Sequence, residues 1–308
     1  MNGPVDEDGP VDEGVPVAAG SSGGRRPVVG VVVPAHNEEA VIAGGLDRLL
    51  AGTAPGEFDV VVVANACSDR TAQAARRAGV RVLETPVPGK ANALRLGDEV
   101  CRTFPRVYLD ADVELDAGAV RALAAAAGRP GVLACAPDSV LDLDGVGWIA
   151  RRVHTVQDLL VAPFRALAGV GVYVLTEEGH ARVFPMPSDV ISDDGWVHGS
   201  FAPHERVVVP EARSVVRPPK TVSAHLRRRV RVRLGNRQLA VLGRSAPEGR
   251  LRLSSLGALV AGRRVSPLDA GCYLAVMLLD RALTRIRAFR GGGVQWGMDV
   301  GSRSRAGG

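Results

Sequence analysis

Two short acidic clusters are the residues best suited to chemistry. Asp110-Ala111-Asp112 follows the apolar run 107–109, and Asp193-Asp194 stands within Ile191-Ser192-Asp193-Asp194-Gly195-Trp196. Two carboxylates at a strand end can both turn into the crevice beyond it. Hard divalent cations such as Mg²⁺ take oxygen ligands there and share them with substrate phosphates. Neighbouring carboxylates raise at least one pKa of the pair, toward the range a general base needs near neutrality. The same pair also reads as a solvated turn. Three further segments could meet a nucleotide. In Pro34-Ala35-His36-Asn37-Glu38-Glu39, Asn37 and Glu38 can hydrogen-bond a base or ribose, or simply cap a helix. In Ala64-Asn65-Ala66-Cys67-Ser68-Asp69, Asn65 offers a donor and an acceptor at a strand end, as a base edge requires. In Gly89-Lys90-Ala91-Asn92, Lys90 is one of only two lysines in an arginine-rich chain, a compact charge placed where a helix start would meet phosphate.

These groups need rigid elements to carry them. Residues 28–33 are a continuous β-branched run, the mark of a strand buried on both faces, and Pro34 should stop its ladder. Residues 38–51 place Val41, Ile42, Leu46, Leu49 and Leu50 on one helical face. The pattern repeats with strand 60–63, helix 69–78 capped by Ser68, strand 80–83, helix 90–101, strand 107–109 and a helix capped by Asp116 and running to 127. Such alternation predicts an α/β fold, a mostly parallel sheet flanked by helices, with ligands outside the carboxyl ends of the strands. The second half is less regular. It reads as helix 148–167, strand 170–175, a Pro-punctuated loop 184–194, and two short strands, 206–209 and 214–216, that would pair. A basic helix 222–242 follows. A last helix, 268–286, has Leu268, Cys272, Val276, Leu279, Leu283 and Ile286 on one stripe.

The chain of 308 residues is 46% apolar and 23% charged, enough for a sizeable core. No apolar run reaches the roughly 18 residues of a membrane span, and no basic segment followed by an apolar one marks a secretory leader. Four scattered cysteines without a CxxC exclude a zinc ribbon and a disulfide scaffold, and suit a reducing compartment, the cytoplasm. Residues 1–26, rich in Gly, Pro and carboxylates, read as a disordered leader. Charge is divided unevenly: residues 1–200 carry a net −10 and residues 201–308 a net +15. The basic end suits phosphates, anionic lipid or nucleic acid, or is a solvated arginine surface.

Taken together, the motifs resemble glycosyltransferase family 2, inverting enzymes that use nucleotide-diphosphate sugars. Val31-Val32-Val33-Pro34-Ala35-His36-Asn37-Glu38-Glu39 is similar to the family's opening strand and nucleotide loop. Residues 62–71 are similar to its second motif, although Asn65-Ala66-Cys67 departs from the usual acidic pair. Gly89-Lys90 is similar to its phosphate-reaching segment, and Tyr108-Leu109-Asp110-Ala111-Asp112 to its DxD. The resemblance implies a GT-A, Rossmann-like fold over residues 27–242. Its nucleotide-binding half would be 27–127 and its acceptor and catalytic half 128–242, with a basic helical extension and tail at 243–308. It implies a divalent cation, Mn²⁺ or Mg²⁺, held chiefly by Asp112 and by Asp110. It also implies Asp194 as catalytic base beside Asp193, and Arg228 and Arg231 near the leaving diphosphate. UDP is the first donor nucleotide to expect, with GDP and dTDP open, and the acceptor is a hydroxyl. Val232 stands where the family's processive members keep a tryptophan, so polymerisation is not expected.

Two other readings compete. In one, the sugar goes to a polyprenyl phosphate, with the last basic helix lying on the inner face of a membrane rather than packed on the domain. In the other, the arginines at 227–237 bind nucleic acid. Only Tyr273 and Phe289 are aromatic between Ala202 and Arg290, and the Asp pairs would have no role, so no nucleic-acid partner is expected.

Overall fold

The computed structural model describes residues 28–244 and 253–289. The acidic leader and the chain from residue 290 onward lie outside these. One mixed eight-stranded sheet organises the molecule. Its strands in chain order are β1 (Val29–Ala35), β2 (Phe58–Asn65), β3 (Arg81–Thr85), β4 (Arg106–Leu109), β5 (Glu114–Leu115), β6 (Ala134–Leu141), β7 (Val172–Leu175) and β8 (Arg206–Val216). Across the sheet the order is β3-β2-β1-β4-β7-β6-β8-β5. The first four strands are parallel, as the alternation predicts. Beyond them β7 runs antiparallel to β4 and to β6, while β8 runs parallel to β6.

The helices of the first half are α1 (Ile42–Leu50), α2 (Thr71–Arg76), α3 (Lys90–Val100) and α4 (Ala117–Ala127). Successive side chains of a strand point to opposite faces, and β1 shows it. Val31 and Val33 pack with Ile42, Leu46 and Leu49 of α1 and Val120 and Leu123 of α4. Val32 packs on the other face with Leu94 of α3. Each such buried aliphatic side chain contributes roughly 1.5–3 kcal/mol. A Cβ on Gly97 would sit 2.5 Å from Val32 Cγ1. Helix α3 therefore lies against the sheet at a distance only glycine permits, and this fixes Lys90, its first residue.

The second half adds α5 (Trp148–Val161), α6 (Glu177–Val183), α7 (Asp193–His198), α8 (Val222–Val241), α9 (Leu253–Ala261) and α10 (Pro267–Phe289). A third core joins Val153, Val156 and Leu160 of α5 to Leu256, Val265, Ala270, Tyr273 and Val276.

Several expectations need correction. Pro34 does not stop β1: it stays in register with Val63, and the strand ends one residue later. The first helix starts at Ile42 rather than 38, and the second at Thr71 rather than 69. Residues 206–209 and 214–216 do not pair with each other. They are parts of one strand, β8, that pairs with β6 on both sides of a register shift at Pro137/Asp138. β6 itself carries no strong strand signal, because Pro137 and Asp138 interrupt it; the flanking strands supply its partners. The stripe foreseen on the last helix is its packing face only at Val276. Ala270, Tyr273, Val276 and Asp280 face inward, while Leu268, Leu279 and Ile286 are exposed.

Candidate active site

The carboxyl ends of β1, β2 and β4 open on one side, and the acidic clusters meet there. Asp110 follows β4, its N–H bonded to Gly171 O at 2.9 Å. Gly171 has φ +68°, and a Cβ there would stand 2.5 Å from Val113 Cγ2. The Lys90 ammonium joins the two clusters: Nζ is 2.6 Å from Asp110 Oδ1 and 2.9 Å from Asp193 Oδ1. Asp193 is buried and also accepts from the Tyr173 hydroxyl at 3.4 Å. Asp194 is half-buried. Its Oδ2 accepts from Gly169 N–H at 2.7 Å, and its Oδ1 accepts from the Ser192 hydroxyl at 2.7 Å and from Gly195 N–H at 2.8 Å. Asp112 is half-buried and forms no ion pair among the described residues.

Three carboxylates, Asp110, Asp193 and Asp194, thus share the field of one ammonium. Burial disfavours the charge on Lys90, but Asp110, Asp193 and Asp194 outweigh it and raise its pKa. Burial pushes Asp110 up to about 6 against the pull of Lys90, with Asp193 and Asp112 adding to the rise. Burial would raise Asp194 as well. Lys90, the Ser192 hydroxyl and the Gly169 and Gly195 amides instead hold it below the usual carboxylate value. The expectation that the adjacent pair lifts a base toward neutrality therefore fails at Asp194, because Lys90 and its hydrogen-bond donors outweigh burial; the raised group is Asp110. Asp110 and Asp112 present hard oxygen donors of the kind Mg²⁺ and Mn²⁺ take, and so fit such an ion. No three His, Cys, Asp or Glu side chains among the described residues form a ready-made cage. An ion here would need ligands from substrate phosphates and water.

The two strand-end loops are laced together. Asn37, at φ +54°, does not cap α1; its Oδ1 accepts from Ser68 N–H at 2.8 Å. Ser68 is accordingly not the cap of α2. Glu38 N–H donates to Thr71 Oγ1 at 2.7 Å, and Glu39 N–H to Asp69 Oδ2 at 3.1 Å. Pro34 is half-buried. Ala35 and Glu38 are buried, and Cys67 Sγ lies 3.6 Å from Ala35 O. Asn65 is buried at the tip of β2, and its Oδ1 has no hydrogen-bond partner among the described residues. An unpaired buried acceptor costs about 1–3 kcal/mol, and a ring N–H of a base would satisfy it.

Helix α8 closes the far side. Gly235 packs on Ser192, where a Cβ would come within 2.9 Å of the Ser192 Cβ, and Gln238 Oε1 accepts from Ile191 N–H at 2.9 Å. Arg228, Val232, Gly235 and Leu239 follow one another along one helical face, with Arg231 beside them. Arg228 is half-buried and Arg231 exposed, and neither forms an ion pair among the described residues.

Sequence reasoning missed the supports of this site. Tyr173 and Gly169 were not singled out, nor was the network beneath them. There the Asp98 carboxylate accepts from Arg106, from Tyr108 OH at 2.7 Å and from His180 Nε2 at 2.8 Å, and the Tyr108 ring stacks on Tyr173 at 4.9 Å. A signal did exist for the tyrosines, since a hydroxyl inside an apolar strand needs a buried partner. Nothing in the sequence marks Gly169.

A mixed α/β sheet flanked by helices is the fold of solved glycosyltransferases. The chain has this fold in common with a mannosyltransferase from Pyrobaculum calidifontis solved with GDP-Man and Mn²⁺. The two are 20% identical with a TM-score of 0.55, over 86% of this chain and 81% of that one. Glucosyl-3-phosphoglycerate synthase from Mycobacterium tuberculosis, solved with Mn²⁺, UDP and glucosyl-3-phosphoglycerate, is 21% identical. It matches 62% of this chain and 70% of its own, with a TM-score of 0.44. No curated protein sequence matches the chain. Residues 30–168 match Glycosyl transferase family 2, which bears out the resemblance.

Proposed function

We propose that the protein moves a sugar from a nucleoside diphosphate to an acceptor hydroxyl, with inversion and one sugar at a time. The observation that carries this reading is the meeting of Asp110 and Asp193, from opposite halves of the chain, on the Lys90 ammonium. The base and ribose lie along Pro34, Ala35, Asn37 and Glu38, with Asn65 Oδ1 accepting a ring N–H. Asp112 and Asp110 hold a divalent cation, Mn²⁺ or Mg²⁺, whose contribution is to offset the charge growing on the leaving diphosphate. Lys90, Arg228 and Arg231 add positive charge to the same group. An ionised carboxylate has about four acceptor positions. Three on Asp194 are taken, which leaves one for the acceptor hydroxyl whose proton it removes; Asp193 keeps Lys90 in place. The single displacement inverts the anomeric carbon. Val232, about half exposed on the α8 face that packs toward α7, supplies no stacking platform for a growing chain. In this reading residues 27–242 are the catalytic domain and the remainder an extension.

Calorimetry with UDP, GDP and dTDP, each with and without Mn²⁺, tests the donor site. One of the three should bind, and bind more tightly with Mn²⁺. Absence of all binding would overturn the reading, and a product of retained configuration would overturn the role of Asp194.

A second observation concerns the acceptor's location. Among residues 254–286, Leu268, Leu274, Leu278, Leu279 and Ile286 are exposed, as are Arg263, Arg264, Arg281 and Arg285. The only acids there are engaged by arginines: Asp269 pairs with Arg152, and Asp280 is buried against Arg229 and Arg233. An exposed face of leucine and arginine without acids is complementary to an anionic bilayer surface. No described helix is long and apolar enough to cross a membrane. The reading is peripheral contact, bringing the site to a membrane-borne acceptor such as a polyprenyl phosphate. Flotation with vesicles containing phosphatidylglycerol, but not with phosphatidylcholine alone, is the expected result. Absence from both would overturn the membrane reading and leave the transferase reading standing.

A further inference from the structure

The Lys90 ammonium occupies a position that bears on how the site is loaded. It lies within ion-pair distance of Asp110 and of Asp193 at once. Asp110 is one of the two carboxylates assigned to the divalent cation. Among the described residues Asp112 is left without an ion pair, and no cage of three ligands is preformed. We infer that Lys90 stands in for the divalent cation while the donor is absent, and that the ion and the nucleotide diphosphate together displace it from Asp110. The inference rests on the donor reading above and adds an order of events to it.

The physical reason is charge balance. Asp193 and Asp112 each repel Asp110, and an ammonium paired with Asp110 and Asp193 relieves this without any ligand. A free Mn²⁺ ion arriving alone must compete with Lys90 for Asp110 and finds only Asp112 unengaged. A diphosphate changes the balance. It brings oxygens that complete the ion's coordination, and it gives Lys90 a new anionic partner once Asp110 has turned to the metal. The lysine can stay paired with Asp193 throughout, since that carboxylate is held separately by the Tyr173 hydroxyl. Metal alone should therefore bind weakly, and metal and nucleotide should each strengthen the other's binding, as linkage requires.

The chain has only two lysines, Lys90 and Lys220, so its lysine side-chain amines can be followed one by one by NMR in ¹⁵N-lysine-labelled, full-length protein. Lys220→Arg assigns the pair. Mg²⁺ together with UDP (or whichever of GDP and dTDP binds) should shift the Lys90 resonance; Mg²⁺ alone at the same concentration should leave it nearly unchanged. Separately, Mn²⁺ binding without nucleotide is measured by electron paramagnetic resonance for the wild type, Lys90→Met and Lys90→Arg. Loss of the ammonium should tighten Mn²⁺ binding about tenfold or more, whereas Lys90→Arg, which keeps the charge, should stay weak. The NMR arm needs no altered Lys90, so the inference remains testable if Lys90→Met does not fold. An unmoved Lys90 resonance when Mg²⁺ and nucleotide are bound would overturn the inference alone, as would Mn²⁺ affinity unchanged or weaker in a folded Lys90→Met. No nucleotide binding by calorimetry would overturn the donor reading and this inference with it.

Discussion

Replacing Asp112 by alanine separates binding from folding at this site more cleanly than any other change. Asp112 forms no ion pair among the described residues, so its removal strands no partner, and the free protein should keep its stability to within about 0.5 kcal/mol. Asp110→Ala lacks this advantage, because Lys90 would lose one of its two carboxylates. If Asp112 is a ligand of the divalent ion, the lost contact is a charged one, worth about 1.5–3 kcal/mol. Nucleotide affinity at saturating Mn²⁺ should then fall about 10- to 150-fold. In chelator the difference should vanish, because no ion remains for Asp112 to hold. The assay is a calorimetric titration of wild type and Asp112→Ala with the tightest-binding nucleotide, in Mn²⁺ and in EDTA, alongside thermal melts without ligand. If Asp112→Ala gains as much affinity from Mn²⁺ as the wild type does, Asp112 is not a ligand. An equal loss in Mn²⁺ and in EDTA would mean that the residue acts on the nucleotide by another route.

Other outcomes follow from the same geometry. Asp194→Asn keeps the shape but removes the base and sets an amide N–H against one of three donors; turnover should fall about 10²–10⁴-fold, with nucleotide binding by calorimetry little changed, and near-normal turnover would exclude Asp194 as base. The buried His225 is held neutral, down to about 3, by burial, by His154 and by Arg229 and Arg228, with Asp280 opposing. Its contribution to stability is complete above its unfolded pKa near 6.5 and is lost as pH falls toward 3. Between pH 6.5 and 5 the wild type should lose about 2 kcal/mol more than His225→Phe in urea melts, and parallel losses would contradict a neutral buried histidine.

Local pattern and short motifs carried much of this protein. The β-branched runs and their alternation with amphipathic helices dictated the parallel half of the sheet, since burial on both faces leaves no polar positions to disguise a strand. The same reading placed Asp110, Lys90 and Asn65 at strand and helix ends, because a position in a βα unit is a local property. What was not local was not legible. β6 has strand neighbours but no strand signal of its own. The true inner face of α10 depends on which side α5 approaches. Nothing in the sequence shows that Lys90 reaches Asp110 and Asp193 together, or that Gly169 and Ser192 hold Asp194. The charge state of the acidic cluster likewise depends on distances between segments far apart in the chain. Electrostatic and hydrogen-bonding energies are set by those distances, and only the packing of the sheet against α3, α7 and α8 decides them.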